Sequence, residues 1–141
     1  MADLPMRYDT RYRWTGKGAE GWIDVEGLDA LAVGSPHDAG RFSPEHLFVA
    51  AAEICMANFV TLIAERSGLE LQSYTSTAHG DLEFEKGAGY RFSAIVIRPC
   101  LKIPAGAASL AQRVVDKAHR SCLVARSLNC PVTIEAQFEE A

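Results

Sequence analysis

Two cysteines stand in the segments of this chain whose residue types can do chemistry. Cys55 lies in an almost wholly apolar run that follows a helix start signal at Ser43, and Cys122 ends the short sequence AHRSC at 118–122. A thiolate is a nucleophile that peroxides oxidise to a sulfenic acid, and a second thiol can condense with that acid to form a disulfide. Two such thiols, where the fold brings them together, have the chemistry to reduce a peroxide through a disulfide.

The composition restricts the class of protein. The chain has 141 residues, enough for one domain with its own core, so we expect a single domain over residues 1–141. Its 14 Lys and Arg against 18 Asp and Glu give a net charge of -4, and there is no basic cluster, which argues against nucleic acid or a membrane as a partner. The N-terminal segment 1–7 lacks a basic region followed by an apolar stretch, so we expect no secretion signal and a cytoplasmic protein. In that compartment the four cysteines are expected to be thiols or catalytic groups.

The central part of the chain predicts one long helix. Ser43 is a good N-cap, proline follows at the first helical position, and the helix is expected to run to about Ser67, where Gly68 ends it. The run 47–64 is apolar enough to suggest a membrane span, but it contains Glu53 and is bounded by charged residues. We therefore interpret it as a buried central helix.

Apolar periodicity on both sides of this helix predicts an α+β fold. Before it we expect antiparallel strands over 6–14 and 21–25, joined by a turn at 16–18, and a third strand over 28–33. After it we expect, in chain order, a β-hairpin with strands over 71–84 and 90–103, a helix up to residue 119, a short helix over 122–128 and a closing strand over 131–138.

These elements and the two cysteine motifs resemble the OsmC/Ohr family, the osmotically inducible and organic hydroperoxide resistance proteins. The most specific parts are SPEHL at 43–47, with Cys55 ten residues after the glutamate, and AHRSC, with Cys122 three residues after the histidine. The resemblance implies an intertwined homodimer in which central helices pack against wrapped sheets. Leu123 follows Cys122 where the family usually has proline, and bulky Ile54 precedes Cys55, so the chain resembles a divergent OsmC-like member.

The resemblance also implies a thiol-dependent peroxidase without a bound cofactor or metal. In the family the first cysteine attacks the peroxide and the second resolves the product, and these roles fall on Cys55 and Cys122. The cycle then passes through a Cys55 sulfenate and a Cys55–Cys122 disulfide, which an external dithiol or lipoyl-type reductant reduces. Apolar residues of the central helix favour an alkyl or lipid hydroperoxide over hydrogen peroxide as substrate: Leu47, Phe48, Ile54, Met56 and Phe59.

A buried cysteine needs a nearby cation, because burial raises the pKa of a thiol and the dipole of the helix fades after its first turn. The resemblance implies an arginine held by Glu45. We favour Arg41, whose planar guanidinium can bind a carboxylate through two donors, while Lys17 and Arg126 stay open as alternatives. Ten residues of helix separate Glu45 and Cys55 by about 15 Å, so Arg41 and Glu45 are expected to come from the opposite subunit.

A second class of function stays open. The chain can be an OsmC-like dimer that binds a small apolar or electrophilic molecule in the same cleft without efficient turnover. Rapid disulfide formation between Cys55 and Cys122 would distinguish the peroxidase. Ligand binding that survives mutation of both cysteines would indicate the binding protein.

Overall fold

A computed structural model describes residues 3–141 of the chain. Residues 1 and 2, the start of the segment in which we expect no secretion signal, lie outside the described residues. Strands and helices are both present, which confirms the predicted α+β class. Two compact units are distinguished, one up to Phe48 and the other Val49–Ala141. The single domain stays a prediction, since two such units can belong to one domain.

The N-terminal unit contains an antiparallel sheet of three strands, in the order β1-β2-β3. Gly16 and Gly18, with φ of 98° and 51°, allow the predicted turn between the first two strands. The first strand begins later than predicted, because its residue Arg11 already pairs with Asp24, the last residue of the second strand, and a turn over 25–28 follows. The strands are β1 Arg11–Trp14, β2 Gly21–Asp24 and β3 Leu31–Val33.

The long helix α1 spans Pro44–Ser67, as the capping signals predict. The Ser43 hydroxyl accepts a hydrogen bond from the backbone N–H of His46 at 3.0 Å, and Gly68, with φ of 75°, follows the last turn. By length and composition alone this helix is able to cross a membrane. Seven of its residues are nevertheless buried within the chain, as expected of a core helix: Ala52, Cys55, Met56, Phe59, Val60, Ile63 and Ala64.

A long hairpin forms the sheet of the C-terminal unit. Its strands are β4 Ser73–Glu85 and β5 Gly89–Ile103, with Tyr74 paired to Leu101 and Ser76 to Pro99. Alternate residues of β5 are fully buried, including Ile95, Ile97, Leu101 and Ile103, so this face of the sheet covers the core. Helix α2, Ala108–Ser121, buries Ala111, Val114, Val115 and Ala118 at helical spacing, and the short helix α3 spans Leu123–Ser127.

The closing strand differs from the prediction, because it is divided in two. Strands β6, Val132–Ile134, and β7, Gln137–Glu140, both pair in parallel with β5 and keep the same register, with Ile97 opposite Ile134 and Cys100 opposite Gln137. That register places Pro99 opposite Ala136. Proline has no N–H to donate to the ladder, so the pairing is interrupted at this point.

Candidate active site

The structure brings the thiols of Cys55 and Cys122 close enough for Cys55 to raise the pKa of Cys122. Cys55 lies in the middle of α1, and Cys122 lies between the end of α2 and the start of α3. Both side chains are buried, with 8% and 1% exposed, and both are free thiols. The arrangement can form a disulfide without a third residue, while the assignment of attacking and resolving roles stays a prediction.

The position of Cys122 follows from the way α2 ends. Its backbone N–H donates to the carbonyl oxygen of His119 at 3.4 Å, and its extended backbone, with ψ of 107°, interrupts the helix before α3 begins. The Nε2 of His119 lies 3.0 Å from the carbonyl oxygen of Val132. A carbonyl only accepts, so Nε2 carries the proton and ties the end of α2 to β6.

The surroundings of Cys122 favour its neutral thiol. Burial is the main cause that raises the pKa of Cys122, and the thiol of Cys55 raises it further. The backbone amides of Ala125 and Val124 lower the pKa, although neither completes a side-chain cap on α3. The net direction is upward. Cys122 therefore needs help to ionise when it acts as a nucleophile.

Three polar residues close to the thiol pair were missed by the sequence analysis as site residues. The hydroxyl of Ser76 donates to Oε2 of Glu53 at 2.5 Å, and Glu53 precedes Cys55 by two positions on α1. Tyr74 precedes Ser76 by two positions on β4, so both side chains share one face of the sheet. One signal could have found Glu53, since it is the one charged residue of the apolar run 47–64.

The hydroxyl group of Tyr74 is in an unusual state. Its oxygen is buried and has no hydrogen-bond partner among the residues that the structure describes. Burial first, then the negative charges of Glu53 and Cys122, raise the pKa of Tyr74 to about 12. The phenol is thus a neutral donor within electrostatic reach of the thiol pair.

Arg41 does not pair with Glu45 in the described chain. One guanidinium nitrogen donates to the carbonyl oxygens of Gly21, at 2.7 Å, and Val33, at 3.2 Å, and the ion-pair partner of Arg41 is Glu20 at 3.8 Å. The predicted ion pair with Glu45 is therefore wrong within one chain, because carbonyl groups of β2 and β3 and a different carboxylate take up the arginine.

Glu45 has an oxygen atom that nothing in the described chain satisfies. Its Oε1 is buried without a hydrogen-bond partner among residues 3–141. An unpaired buried carboxylate oxygen is costly, so this group is suited to a donor from a second chain. The expectation that Glu45 and Arg41 serve the site of an opposite subunit stays a prediction.

The two alternative cations are exposed. Lys17 stands in the turn between β1 and β2, and Arg126 lies in the last turn of α3, four residues after Cys122. Neither side chain makes an ion pair with another residue in the described part of the chain. Which cation would activate Cys55 therefore stays open.

The apolar residues expected to line a substrate pocket divide by burial. Met56 and Phe59, with 0% and 7% exposed, belong to the core, whereas Ile54 is 59% exposed. Leu47 lines a pocket of about 330 Å³ in the N-terminal unit, with Tyr12, Ala19, Ile23, Val33, Gly34, Ser35 and Pro44. Most of that lining is apolar. Leu47 therefore lines an apolar pocket, whereas Met56 belongs to the core.

The other titratable groups of the described chain form no metal site. No group of three or more His, Cys, Asp and Glu residues is close enough to hold a metal ion among residues 3–141. His79, for which the sequence indicates no partner, accepts a hydrogen bond from Arg98 at its Nδ1, at 2.9 Å. Cys100 lies with its sulfur 3.7 Å from a carboxylate oxygen of Glu139.

An α+β chain with a buried pair of free thiols defines the class of this protein, and comparison with known proteins gives its family. The family described as OsmC-like protein matches residues 36–137, well over half of the chain. The chain therefore belongs to the OsmC-like protein family.

Solved structures of similar proteins have the same fold. An OsmC-like protein of unknown function from Vibrio cholerae, VCA0330, has a TM-score of 0.83 at 20% identity, covering 94% of this chain and 99% of that one. An organic hydroperoxide resistance protein OsmC from Legionella pneumophila has a TM-score of 0.71 at 21% identity, covering 94% and 97%. These similarities confirm the predicted OsmC-like fold.

The uncharacterized protein YmaD of Bacillus subtilis is similar in sequence. It is 25% identical over 99 residues, a stretch that covers 67% of this chain and 65% of YmaD. The chain thus spans about two thirds of the length of this curated relative.

Proposed function

We propose that this protein is a thiol-dependent peroxidase that reduces organic hydroperoxides through Cys55 and Cys122. The observation that carries the proposal is the proximity of two buried free thiols, one on α1 and the other between α2 and α3. A cysteine that serves only as a small apolar residue needs no second thiol beside it. Organic hydroperoxide resistance proteins among the similar structures support the same class of reaction.

The proposed reaction has three steps. The Cys55 thiolate attacks one oxygen of ROOH, the O–O bond breaks, and the released alkoxide takes a proton to leave as an alcohol, while the sulfur is oxidised to a sulfenic acid. Cys122 then displaces the sulfenic oxygen as water and forms the Cys55–Cys122 disulfide. An external dithiol, or a lipoyl-type reductant, restores both thiols by exchange and is itself oxidised to a disulfide.

The first step needs Cys55 as a thiolate, the nucleophilic form of a thiol, and a positive group beside the sulfur favours that form. We propose that this group comes from a second copy of the chain in a homodimer, with Arg41 as the first candidate and Lys17 or Arg126 as alternatives. The unsatisfied oxygen of Glu45 supports the dimer, because a buried carboxylate oxygen that lacks a donor is suited to a donor group from a second chain.

The substrate is proposed to be an alkyl or lipid hydroperoxide. The apolar residues of α1 around Cys55 support this choice, because an alkyl chain gains free energy by leaving water for an apolar lining, and hydrogen peroxide has no apolar part to bury. We place the reaction in the cytoplasm, where dithiol reductants keep such pairs reduced. No bound cofactor is needed, since both electrons come from the external dithiol.

A second candidate is an OsmC-like dimer that binds a small apolar or electrophilic molecule without turnover. One observation favours it: no cationic side chain contributes to the pKa of Cys122, which is raised. A thiol pair without a cation in its own chain reacts slowly with peroxides unless a second chain supplies one.

The test measures peroxide consumption with a small dithiol as reductant. Wild type, Cys55→Ser and Cys122→Ser are compared on cumene hydroperoxide and hydrogen peroxide, with Cys100→Ser as a matched control, because Cys100 is a free cysteine on another element. We expect faster consumption of the organic substrate, complete loss in Cys55→Ser, and normal turnover in Cys100→Ser. In Cys122→Ser, Cys55 should still be oxidised to the sulfenate, which dimedone traps.

The two candidates give different results in this assay. Absence of consumption by a folded and fully reduced wild type would contradict the peroxidase. Binding of an apolar fluorescent probe that is equally tight in wild type and in the double variant Cys55→Ser/Cys122→Ser would then favour the binding protein.

A further inference from the structure

The unpartnered hydroxyl of Tyr74 is the feature of the C-terminal unit that the proposed reaction does not yet use. A buried hydroxyl without a partner destabilises the folded state, and such groups in native structures call for an explanation. A phenylalanine would fill the same space without that cost. The hydroxyl is therefore expected to find its partner in another state of the protein.

The surroundings of Tyr74 limit which state that is. The carboxylate of Glu53 already accepts from Ser76 through Oε2, and the sulfur of Cys122 is the other group whose negative charge, once the thiol ionises, acts on the phenol. Cys122 is a neutral thiol in the reduced chain, and a neutral thiol is a weak acceptor. It becomes a strong acceptor when it loses its proton.

We propose that the hydroxyl of Tyr74 donates a hydrogen bond to the sulfur of Cys122 as that thiol ionises, and so accelerates formation of the Cys55–Cys122 disulfide. The inference rests on the proposed function and assigns a third residue to its second step. Tyr74 keeps its own proton throughout, because burial and the neighbouring negative charges make the phenol a very weak acid. It acts as a hydrogen-bond donor and not as an acid.

The step balances without a further reactant. The thiol of Cys122 loses its proton, its sulfur attacks the sulfur of the Cys55 sulfenic acid, the S–S bond forms and the S–O bond breaks. The sulfur of Cys122 is oxidised and the sulfur of Cys55 is reduced, and the proton joins the departing hydroxide as water. The donor lowers the barrier because it favours the charged form of the attacking sulfur.

None of the other groups that act on Cys122 is able to stabilise its thiolate enough to offset burial. On α1 these groups are Cys55, which raises the pKa of Cys122, and Glu53, which acts on the neighbouring phenol. On α3 they are two backbone amides, which lower the pKa of Cys122 without outweighing the effect of burial. On β4 the group is Tyr74. None of these groups is cationic, so a neutral donor is the remaining means by which the described chain can stabilise a thiolate here.

The test compares wild type with Tyr74→Phe, with Tyr90→Phe as a matched control, because Tyr90 is 76% exposed at the end of the hairpin. A single equivalent of cumene hydroperoxide is added to the reduced protein. Loss of the Cys55 thiol is followed by dimedone trapping, and disulfide formation is followed by mass spectrometry after rapid acid quenching. We expect Cys55 oxidation at an unchanged rate in all three proteins.

Disulfide formation at pH 7 is expected to be about tenfold slower in Tyr74→Phe than in the other two proteins, and its pH profile to be displaced upward by about one unit. A disulfide rate that is unchanged across the pH range would overturn the inference while leaving the peroxidase intact. Failure of wild-type Cys55 to be oxidised would instead contradict the proposed function.

A second measurement does not depend on peroxidase activity. The pKa of Cys122 is titrated by NMR with ¹³Cβ-labelled cysteine in the Cys55→Ser background, with and without Tyr74→Phe. The inference predicts an increase of about one unit on removal of the hydroxyl. An identical titration in both proteins would exclude the hydrogen bond. The reduced Tyr74→Phe variant should be at least as stable as wild type, since it loses no partner.

Discussion

The hydrogen bond between Ser76 and Glu53 is expected to couple strand β4 to helix α1 beside the thiol pair. The hydroxyl of Ser76 lies 2.5 Å from Oε2 of Glu53 in a partly buried position. Ser76→Ala leaves the carboxylate without this donor, and Glu53→Ala leaves the hydroxyl without this acceptor. The double variant removes both groups, so the energy that the two share can be isolated in a double-mutant cycle.

The size of the coupling follows from the kind of bond and its burial. Hydrogen bonds to charged groups contribute about 1.5–3 kcal/mol to stability, and a position that water can partly reach retains the lower part of that range. We therefore expect each single substitution to lower the free energy of unfolding by about 1–2 kcal/mol. The coupling energy between the two positions should be about 1 kcal/mol.

The assay is urea unfolding of the fully reduced proteins, followed by circular dichroism at one fixed protein concentration, because the stability of a dimer depends on concentration. Thr61→Ala is the control: its hydroxyl bonds to the carbonyl of Ala57 within the same exposed helical face, so we expect a change below about 0.5 kcal/mol. Effects of Ser76→Ala and Glu53→Ala that add within about 0.3 kcal/mol would refute the coupling.

Three further predictions concern the core and the alkaline range. Met56→Ala is expected to cost about 2–5 kcal/mol, because Met56 is fully buried, whereas truncation of the exposed Ile54 should cost far less in the same urea assay. Gly80→Ala is expected to cost about 1–3 kcal/mol, because its Cβ would lie 2.7 Å from Cγ2 of Val49 and 2.8 Å from Cε1 of Phe92. An equal cost in a Val49→Ala background would contradict this packing argument. The pKa of Tyr74 rises from 10.0 to about 12 on folding, so the unfolded chain loses the phenol proton at a lower pH than the folded chain does. Wild type should therefore lose stability relative to Tyr74→Phe as the pH rises through that interval. Solvent around the half-buried ring limits the difference to about 1 kcal/mol, and unfolding curves on both sides of pH 10 measure it.

The elements of the fold were predictable wherever local chemistry decides them. Ser43 caps a helix through its own hydroxyl and Gly68 ends it through its own backbone, so α1 has the bounds that its residues predict. The division of the closing strand was not predictable in this way. It depends on Pro99, which is distant in sequence and meets Ala136 only through the pairing of β5 with β6 and β7.

The candidate site shows the same distinction. Motif spacing singled out Cys55 and Cys122, but their proximity results from the tertiary fold, because 67 positions separate them in the sequence. Arg41 was a plausible partner of Glu45 by residue type, and the structure directs it instead to backbone carbonyl groups. Carbonyl acceptors are present at every residue, so a sequence does not reveal which of them a given arginine will reach.

By itself, the sequence determined the family, the α+β class, the bounds of the long helix and the two thiols, because capping, periodicity and motif spacing act over a few residues. Only the tertiary structure decided that Ser76 bonds to Glu53, that the hydroxyl of Tyr74 is buried without a partner, and that the pKa of Cys122 is raised. These properties depend on burial and on charges brought together from α1, β4 and the end of α2. Such distances exist only after the chain has folded.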